Sequence, residues 1–379
     1  MLTTAEPACA VMEGLLADIR ARRREFERQR HISQDIIERF KQVGVYRALV
    51  ARRFGGDEKS PAEFCRLIET ISQADGSAGW VASFGVGAIY LSALPMPTLE
   101  KLYAHGPDVV FAGGIFPPQP AEAVDGGFKV NGRWAWSSGC LGAEFIGAGI
   151  LAGTADATGL PRMAVMPRAQ VTIEDNWDVM GLQGTGSHDI VVKDVVVPEE
   201  WTFVRGGASS LDAPLYRYPA LSFAAQVLTV VGLGVARAAI NEVLSMAAGR
   251  KSITGAPNLG ERAYAQLEVA KMEAELRSAR SWFYEAIDEV WQCLLAGCKP
   301  SDDQVSMLRL STTHAARASA EVARRAHLLS GGTGVYESSP LGAQLRDAQV
   351  VTQHAFMGDI TYQNAGAMLF GHRPLPGYL

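Results

Sequence analysis

Cysteine is scarce in this chain: Cys9, Cys65, Cys140, Cys293 and Cys298 are the only five in 379 residues. An odd, scattered set builds no disulfide framework, and without a CxxC pair or a His-rich tract it gives no metal site, so a reduced, cytoplasmic setting is expected. A surplus of positive charge is missing too. Lys and Arg total 35 against 40 Asp and Glu, a net charge of −5. The single basic stretch, "RARRREFERQR", interleaves Glu and apolar residues, which marks a solvated helix face and gives no reason to expect a nucleic-acid partner. The N-terminus lacks the basic stretch and apolar core of a signal peptide. No uninterrupted apolar run reaches the length of a membrane span, so no membrane association is expected.

The usual catalytic signatures are absent as well. There is no GxSxG nucleophile elbow, no HExxH zinc motif and no lysine-bearing phosphate loop. "GLGVAR", from Gly232, lacks the glycine spacing and the preceding strand of a dinucleotide fold. "GLQGTGSHD", Gly181 to Asp189, is followed by a strand-like run where a phosphate loop needs a helix. A self-contained NAD(P)H site, a hydrolase triad and a metal centre are therefore not supported.

What is present is a change of texture along the chain. Apolar residues make up 48% and charged residues 20%, the balance of a folded protein with a large core. Residues 1–109 read as helical, with apolar positions three and four apart in "AVMEGLLADIRARRREFE" and "SQDIIERFKQVGVYRAL". Ser33 is placed as an N-cap, and Ser60-Pro61 as an N-cap followed by proline at the first helical position. Residues 110–212 read as β. "GGFKVNGRWAW" carries Asn131-Gly132 between β-formers and predicts a hairpin there, and "FIGAGILAG", "RMAVMPRAQVTIED" and "HDIVVKDVVVP" are further strand-like runs. Residues 213–379 return to helix in four long segments whose small residues allow close packing, as in a four-helix bundle. The last of these contains "RDAQVVTQHAFMGD", mostly helical in character, with His354 among small, apolar and amide residues. On the residues alone, His354 reads as a packing histidine.

The order helical domain, β-domain, helix bundle resembles the acyl-CoA dehydrogenase fold. "VGVYRALVARRFGGDEKSPAEF", "ISQADGSAGWVASF", "GGFKVNGRWAWSSGC", "NWDVMGLQGTGSHDIVVKDVVVP" and "HLLSGGTGVYESSPLGAQLRDAQVVTQHAF" carry the resemblance over nearly the whole length. The fold class implied is α+β, mostly α: an N-terminal helical domain, a central β-barrel or sandwich domain and a C-terminal four-helix bundle. Within that superfamily, "WSSGC", "GLQGTGSHD" and "GGTGVYESSPL" are most similar to the two-component flavin-dependent monooxygenases called group D. In many of the dehydrogenases a glutamate eight residues beyond the aspartate of an Arg-Asp-Ala removes the substrate's α-proton. Counted from Arg346-Asp347-Ala348, that place holds Ala355, with His354 just before it.

The resemblance implies an oxygenase component that takes reduced flavin (FADH2 or FMNH2) from a separate NAD(P)H–flavin reductase. With O2 it would form a C4a-hydroperoxyflavin and oxygenate a small aromatic or heteroaromatic substrate. It implies that Ser137 or Ser138 hydrogen-bonds the flavin, that Trp136 walls its ring, and that Gly184, Thr185 and Ser187 approach it. Arg250 loosely matches a position that reaches flavin phosphate across a subunit interface, within a homotetramer built as a dimer of dimers. His354 is placed as the acid or base, since imidazole titrates near neutrality. A histidine that aromatic hydroxylases of this branch often carry falls at Gly87 or Ala88. Phe84 and Tyr90 then suggest an apolar substrate pocket suited to indole or a similar bicycle. Two alternatives stand beside this reading: an acyl-CoA dehydrogenase-like enzyme with a displaced base, and a non-catalytic ligand-binding member of the fold. His188 is expected to be structural, at the start of a strand.

Overall fold

The computed structural model describes residues 5–152, 161–249, 257–375 and 377–379. The chain forms two compact units, one of Met1–Phe64, Trp80–Val179 and Gln183–Leu221, the other of Cys65–Gly79, Met180–Leu182 and Ser222–Leu379. The architecture is mostly α with a central sheet, as the resemblance implied.

In the first unit the helical spacing of the sequence translates directly. Helices α1 (Ala5–Gln29) and α2 (Gln34–Gln42) open the chain, and α2 buries Ile36, Ile37 and Phe40 from one face. Each such side chain contributes about 1.5–3 kcal/mol relative to an exposed one. Ser33 holds the N-cap position, but its hydroxyl donates to Glu25 Oε1 at 2.9 Å and does not cap the helix. Ser60 does cap helix α3 (Pro61–Ala74). The Glu63 N–H donates to Ser60 Oγ at 3.3 Å, and the Ser60 N–H donates to Glu63 Oε2 at 2.8 Å, a reciprocal capping box. Helices α4 (Gly76–Ser83), α5 (Gly87–Leu91) and α6 (Met96–Leu102) follow.

Seven strands come next: β1 (Phe111–Val124), β2 (Gly127–Ser137), β3 (Phe145–Leu151), β4 (Arg162–Pro167), β5 (Thr172–Glu174), β6 (His188–Pro198) and β7 (Thr202–Val204), in the order β5-β6-β2-β1-β3-β4-β7. Strand β1 belongs to both halves. Phe111–Gly114 and Gln119–Pro120 pair with β3 in parallel, with a register break between the two stretches, and Ala121–Val124 pair with β2 antiparallel. Trp134 on β2, fully buried, fills the space between the halves and donates its indole N–H to the Gly149 carbonyl of β3 at 2.8 Å.

The hairpin is displaced from its expected place. Val124 pairs with Gly127, so the two-residue turn is Asp125-Gly126, with Gly126 at φ 74°. Asn131-Gly132 lies inside β2, where the register to β6 slips between Val130 and Gly132. The Asn131 side chain serves that bulge by accepting the Asp194 N–H at 2.7 Å. Both dipeptides carry turn chemistry. Which of them turns is settled by the pairing of the flanking strands.

The second unit is the bundle: α7 (Ala220–Gly249), α8 (Ala263–Leu295), α9 (Asp302–Leu329), α10 (Pro340–Thr352) and α11 (Ile360–Leu369). Arg237 of α7 holds Glu273 of α8 through two bonds of 2.7 and 2.8 Å, and Arg325 of α9 bridges Glu268 and Glu275 of α8. The glycine of "GLGVAR" finds a packing reason. A Cβ on Gly234 would lie 2.5 Å from the Glu69 carbonyl and from the Ser72 Cβ of α3, so the bare backbone is what lets α7 approach. Helix α7 is also long and apolar enough to cross a membrane, which a reading for uninterrupted runs missed. It lies almost wholly buried, as a core helix of the bundle.

Candidate active site

Where β2 ends, the chain turns one aromatic outward and two hydroxyls inward. The register to β6 slips again between Trp134 and Ser137, and Trp136 takes a left-handed backbone, φ 60°, with 68% of its surface exposed. Such a conformation costs about 1–3 kcal/mol for a residue with a Cβ. A bulge here re-aims side chains: Trp134 is the buried core tryptophan, Trp136 the presented one. Ser137 is fully buried, and its Oγ has no hydrogen-bond partner among the described residues. Ser138, beside it, is fully engaged. It accepts the Trp80 indole N–H at 3.0 Å and shares a 2.7 Å hydrogen bond with Ser187 Oγ, which shares another of 2.7 Å with Thr185 Oγ1.

The glycine-rich segment forms the other side of this cluster. Residues 183–185 make one 3-10 turn in which Gly184 and Thr185 are buried, and the Thr185 carbonyl accepts the Gly139 N–H at 2.9 Å. The structure thus joins Ser138, Thr185 and Ser187 directly and pairs Ser137 with His188 at the same strand end, from two segments about fifty residues apart, while Trp136 points away from this network. Trp80 completes the network. It stands in the quoted "SAGWVASF", and its indole N–H was the one available sign of a polar duty.

His188 opens β6, and its Nδ1 accepts the backbone N–H groups of Asn176 and Trp177, both at 3.1 Å. Burial pushes its pKa below the ordinary histidine value, with Asp175 opposing the shift. This is a neutral, structural ring. Burial likewise pushes the Cys140 thiol up to about 12, so it is no thiolate.

Phe84 begins a 3-10 turn (84–86) that runs into α5, which carries Tyr90. A Cβ on Gly87 would lie 2.9 Å from the Phe111 ring, so this segment is held tightly against the start of β1. Arg250 lies outside the described residues.

His354 stands in the bundle unit, and there the helix stops short. Helix α10 ends at Thr352, and His354 is extended (φ −65°, ψ 139°) ahead of a 3-10 turn, Ala355–Met357. No proline stands at the break, and side chains of α9 and α11 hold the turn beyond it. Arg317 of α9 donates to the Met357 carbonyl at 3.0 Å and pairs with Asp359 at 2.9 Å, while Thr313 and Thr361 each donate to the Phe356 carbonyl at 3.3 Å. From α7, Thr229 reaches Met357 Sδ at 3.3 Å. His354 Nδ1 accepts the Phe356 N–H at 3.3 Å, which places the proton of a neutral ring on Nε2, and the two rings lie 4.7 Å apart. At the opposite end of this segment, the buried Asp347 accepts the Leu182 N–H at 2.6 Å. Ala355 offers no carboxylate. Among the described residues no group of three or more metal-ligating side chains occurs.

Residues 226–359 match the acyl-CoA dehydrogenase C-terminal domain family. Indole-3-acetate monooxygenase of Pseudomonas putida is 62% identical over an alignment spanning 99% of this chain and 98% of its own. The FADH(2)-dependent resorcinol hydroxylase oxygenase component of a Rhizobium species is 28% identical, over 96% and 94%. The crystal structure of 3-HSA hydroxylase from Rhodococcus sp. RHA1 superposes with a TM-score of 0.91 at 25% identity, covering 98% of each chain. With a bulged strand end, an orphaned hydroxyl and no dehydrogenase carboxylate at Ala355, the chain belongs to the flavin-dependent monooxygenases of the acyl-CoA dehydrogenase fold.

Proposed function

We propose that this protein is the oxygenase component of a two-component monooxygenase that oxygenates indole-3-acetate, using O2 and reduced flavin, FADH2 or FMNH2, from a separate NAD(P)H–flavin reductase. The observation that carries the substrate is 62% identity, over essentially full length, to a protein named for that reaction. The chemistry of the strand end fits a flavin. A buried hydroxyl without a partner costs about 1–3 kcal/mol, and Ser137 is such a group, next to the exposed flat face of Trp136.

When bound, reduced flavin supplies two electrons and the centre at which O2 is activated. The chain's own residues do the rest. Ser137 hydrogen-bonds the ring, and Ser138, locked by Trp80 and Ser187, fixes the strand end that presents it. Trp136 walls one side, Gly184, Thr185 and Ser187 give small-residue backbone contacts, and Phe84 and Tyr90 take the apolar part of the substrate. His354 moves a proton through Nε2, the nitrogen left as donor by the bond at Nδ1.

Apolar surface supports a homotetramer, a dimer of dimers, as the working assembly. Val335, Tyr336, Leu369 and Phe370 are each at least 70% exposed on the bundle unit, apolar side chains that an assembly would cover. Light scattering behind size-exclusion chromatography reads that state directly.

The decisive experiment combines purified protein, a flavin reductase, NADH and indole-3-acetate under 18O2. One labelled oxygen atom in the product is expected. Absence of substrate-dependent oxygen incorporation, or anaerobic oxidation of an acyl-CoA in its place, would overturn the proposal.

A further inference from the structure

An indole-acetate has two chemically different ends, a flat apolar bicycle and a short arm ending in a charge. Phe84 and Tyr90 suit the first, and neither answers the second. A buried carboxylate needs a cationic or multiply donating partner.

Arg205 stands where that partner is required. It follows β7, whose last residue, Val204, pairs with Arg162 of β4, and its own N–H donates to the Pro161 carbonyl at 3.2 Å. Its guanidinium carbon lies 5.4 Å from the centroid of the Tyr90 ring. The loop beyond it is fastened to the end of α5, the helix that carries Tyr90. The Ser210 N–H donates to the Ser92 carbonyl at 2.8 Å, and Ser209 Oγ donates to the same oxygen at 3.2 Å. Strand end and helix end are therefore tied together on both sides of the Arg205–Tyr90 contact. Burial raises the Tyr90 phenol above its ordinary value, while the charge and a side-chain hydrogen bond of the adjacent guanidinium work against that rise. A guanidinium held over a ring keeps a planar set of donors, more than one phenol can use, and such a set matches a carboxylate.

We propose that Arg205, seated on Tyr90, reads the carboxylate of the substrate and so separates indole-acetate from neutral indoles. The assignment rests on the proposed function of the pocket at Phe84 and Tyr90, and it adds the specificity-determining group that neither the motifs nor the apolar segment supplied.

The test is isothermal titration of the intact protein with three probes: indole-3-acetate, its neutral isostere indole-3-acetamide, and indole. The wild type is expected to prefer acetate over acetamide by about tenfold or more, as a charge-assisted fork should. Arg205→Gln should bring the two to within about twofold, and Arg205→Lys, with charge but no fork, should keep an intermediate preference. If Arg205→Gln does not fold, as judged by its thermal melt, a preference in Arg205→Lys reduced below that of the wild type decides. A preference that survives substitution, or a wild type that does not distinguish or does not bind the acids, overturns the assignment. Oxygen incorporation is read separately. Binding that follows Arg205 without turnover defeats the proposed activity alone; turnover with a preference indifferent to Arg205 defeats the Arg205 assignment alone.

Discussion

Two short segments of this chain carry the candidate chemistry, and they hold their side chains in opposite ways. At the end of β2, every polar group around Ser137 is spoken for except Ser137 itself: Ser138, Ser187, Thr185 and Trp80 close one buried network. At the end of α10, His354 sits on a turn fastened from outside, by Arg317 and Thr313 of α9 and by Thr229 of α7. The first arrangement pairs its hydroxyls with one another and leaves Ser137 Oγ without a partner among the described residues. The second is held by side chains of neighbouring helices on the carbonyls of the turn that follows α10. A group meant to hold a ring can be buried, whereas a group meant to move a proton must stay reachable, and His354 is only half-buried.

That contrast can be broken from either side. The largest effect is expected from His354→Ala, a loss of about 10²–10⁴ in turnover with flavin binding retained; unchanged single-turnover kinetics would remove His354 from the chemistry. Arg317→Ala should cost about tenfold, on the order of a small misplacement of the turn. It should also move the acid limb of the pH–rate profile, which a merely destabilising change would leave in place. The two serines should then separate. Ser138→Ala removes the acceptor of the Trp80 N–H and one of the two bonds of Ser187 and should lower stability by about 1–2 kcal/mol in urea denaturation. Ser137→Ala removes an unsatisfied hydroxyl, so stability should hold or rise slightly while uncoupled H2O2 release increases severalfold. Equal behaviour of the two variants would erase the distinction drawn between them.

The smallest effect concerns His188, whose ring accepts two backbone N–H groups. Because the folded-state pKa of His188 is depressed, its contribution to stability is complete above the ordinary histidine value and is lost as pH falls through the lowered one. Protonation takes away the acceptor of the Asn176 and Trp177 N–H groups. Urea midpoints measured from pH 7 down to pH 5 should therefore fall. In His188→Asn the slope should flatten.

Much of this was legible in residues. The capping box at Ser60-Pro61, the three helix-spaced apolar residues of α2 and the long bundle helices follow from local rules of spacing and capping, which act within a few residues. The candidate site was legible only as a list. Sequence placed Ser137 and Ser138 together without separating them, because the difference lies in partners fifty or more residues away. It placed the hairpin at Asn131-Gly132 because both Asp125-Gly126 and Asn131-Gly132 satisfy turn chemistry, and only strand pairing chooses. It carried helix through His354 because nothing in Gln353–Met357 forbids one. Trp80 offered only its indole N–H as a sign, Arg317 gave no local signal of its duty, and Arg205 became visible only through its contact with Tyr90.

The sequence by itself determined the element types, the absence of a dehydrogenase carboxylate at Ala355 and the family resemblance, since each depends on residue identity and short-range periodicity. The tertiary structure alone decided which tryptophan is core and which is presented, which serine is left without a partner, and which carbonyls beyond α10 are held by α9. Those outcomes are competitions among hydrogen-bonding groups distant in the chain, and such competitions are resolved only when folding brings the competitors within about 3 Å of one another.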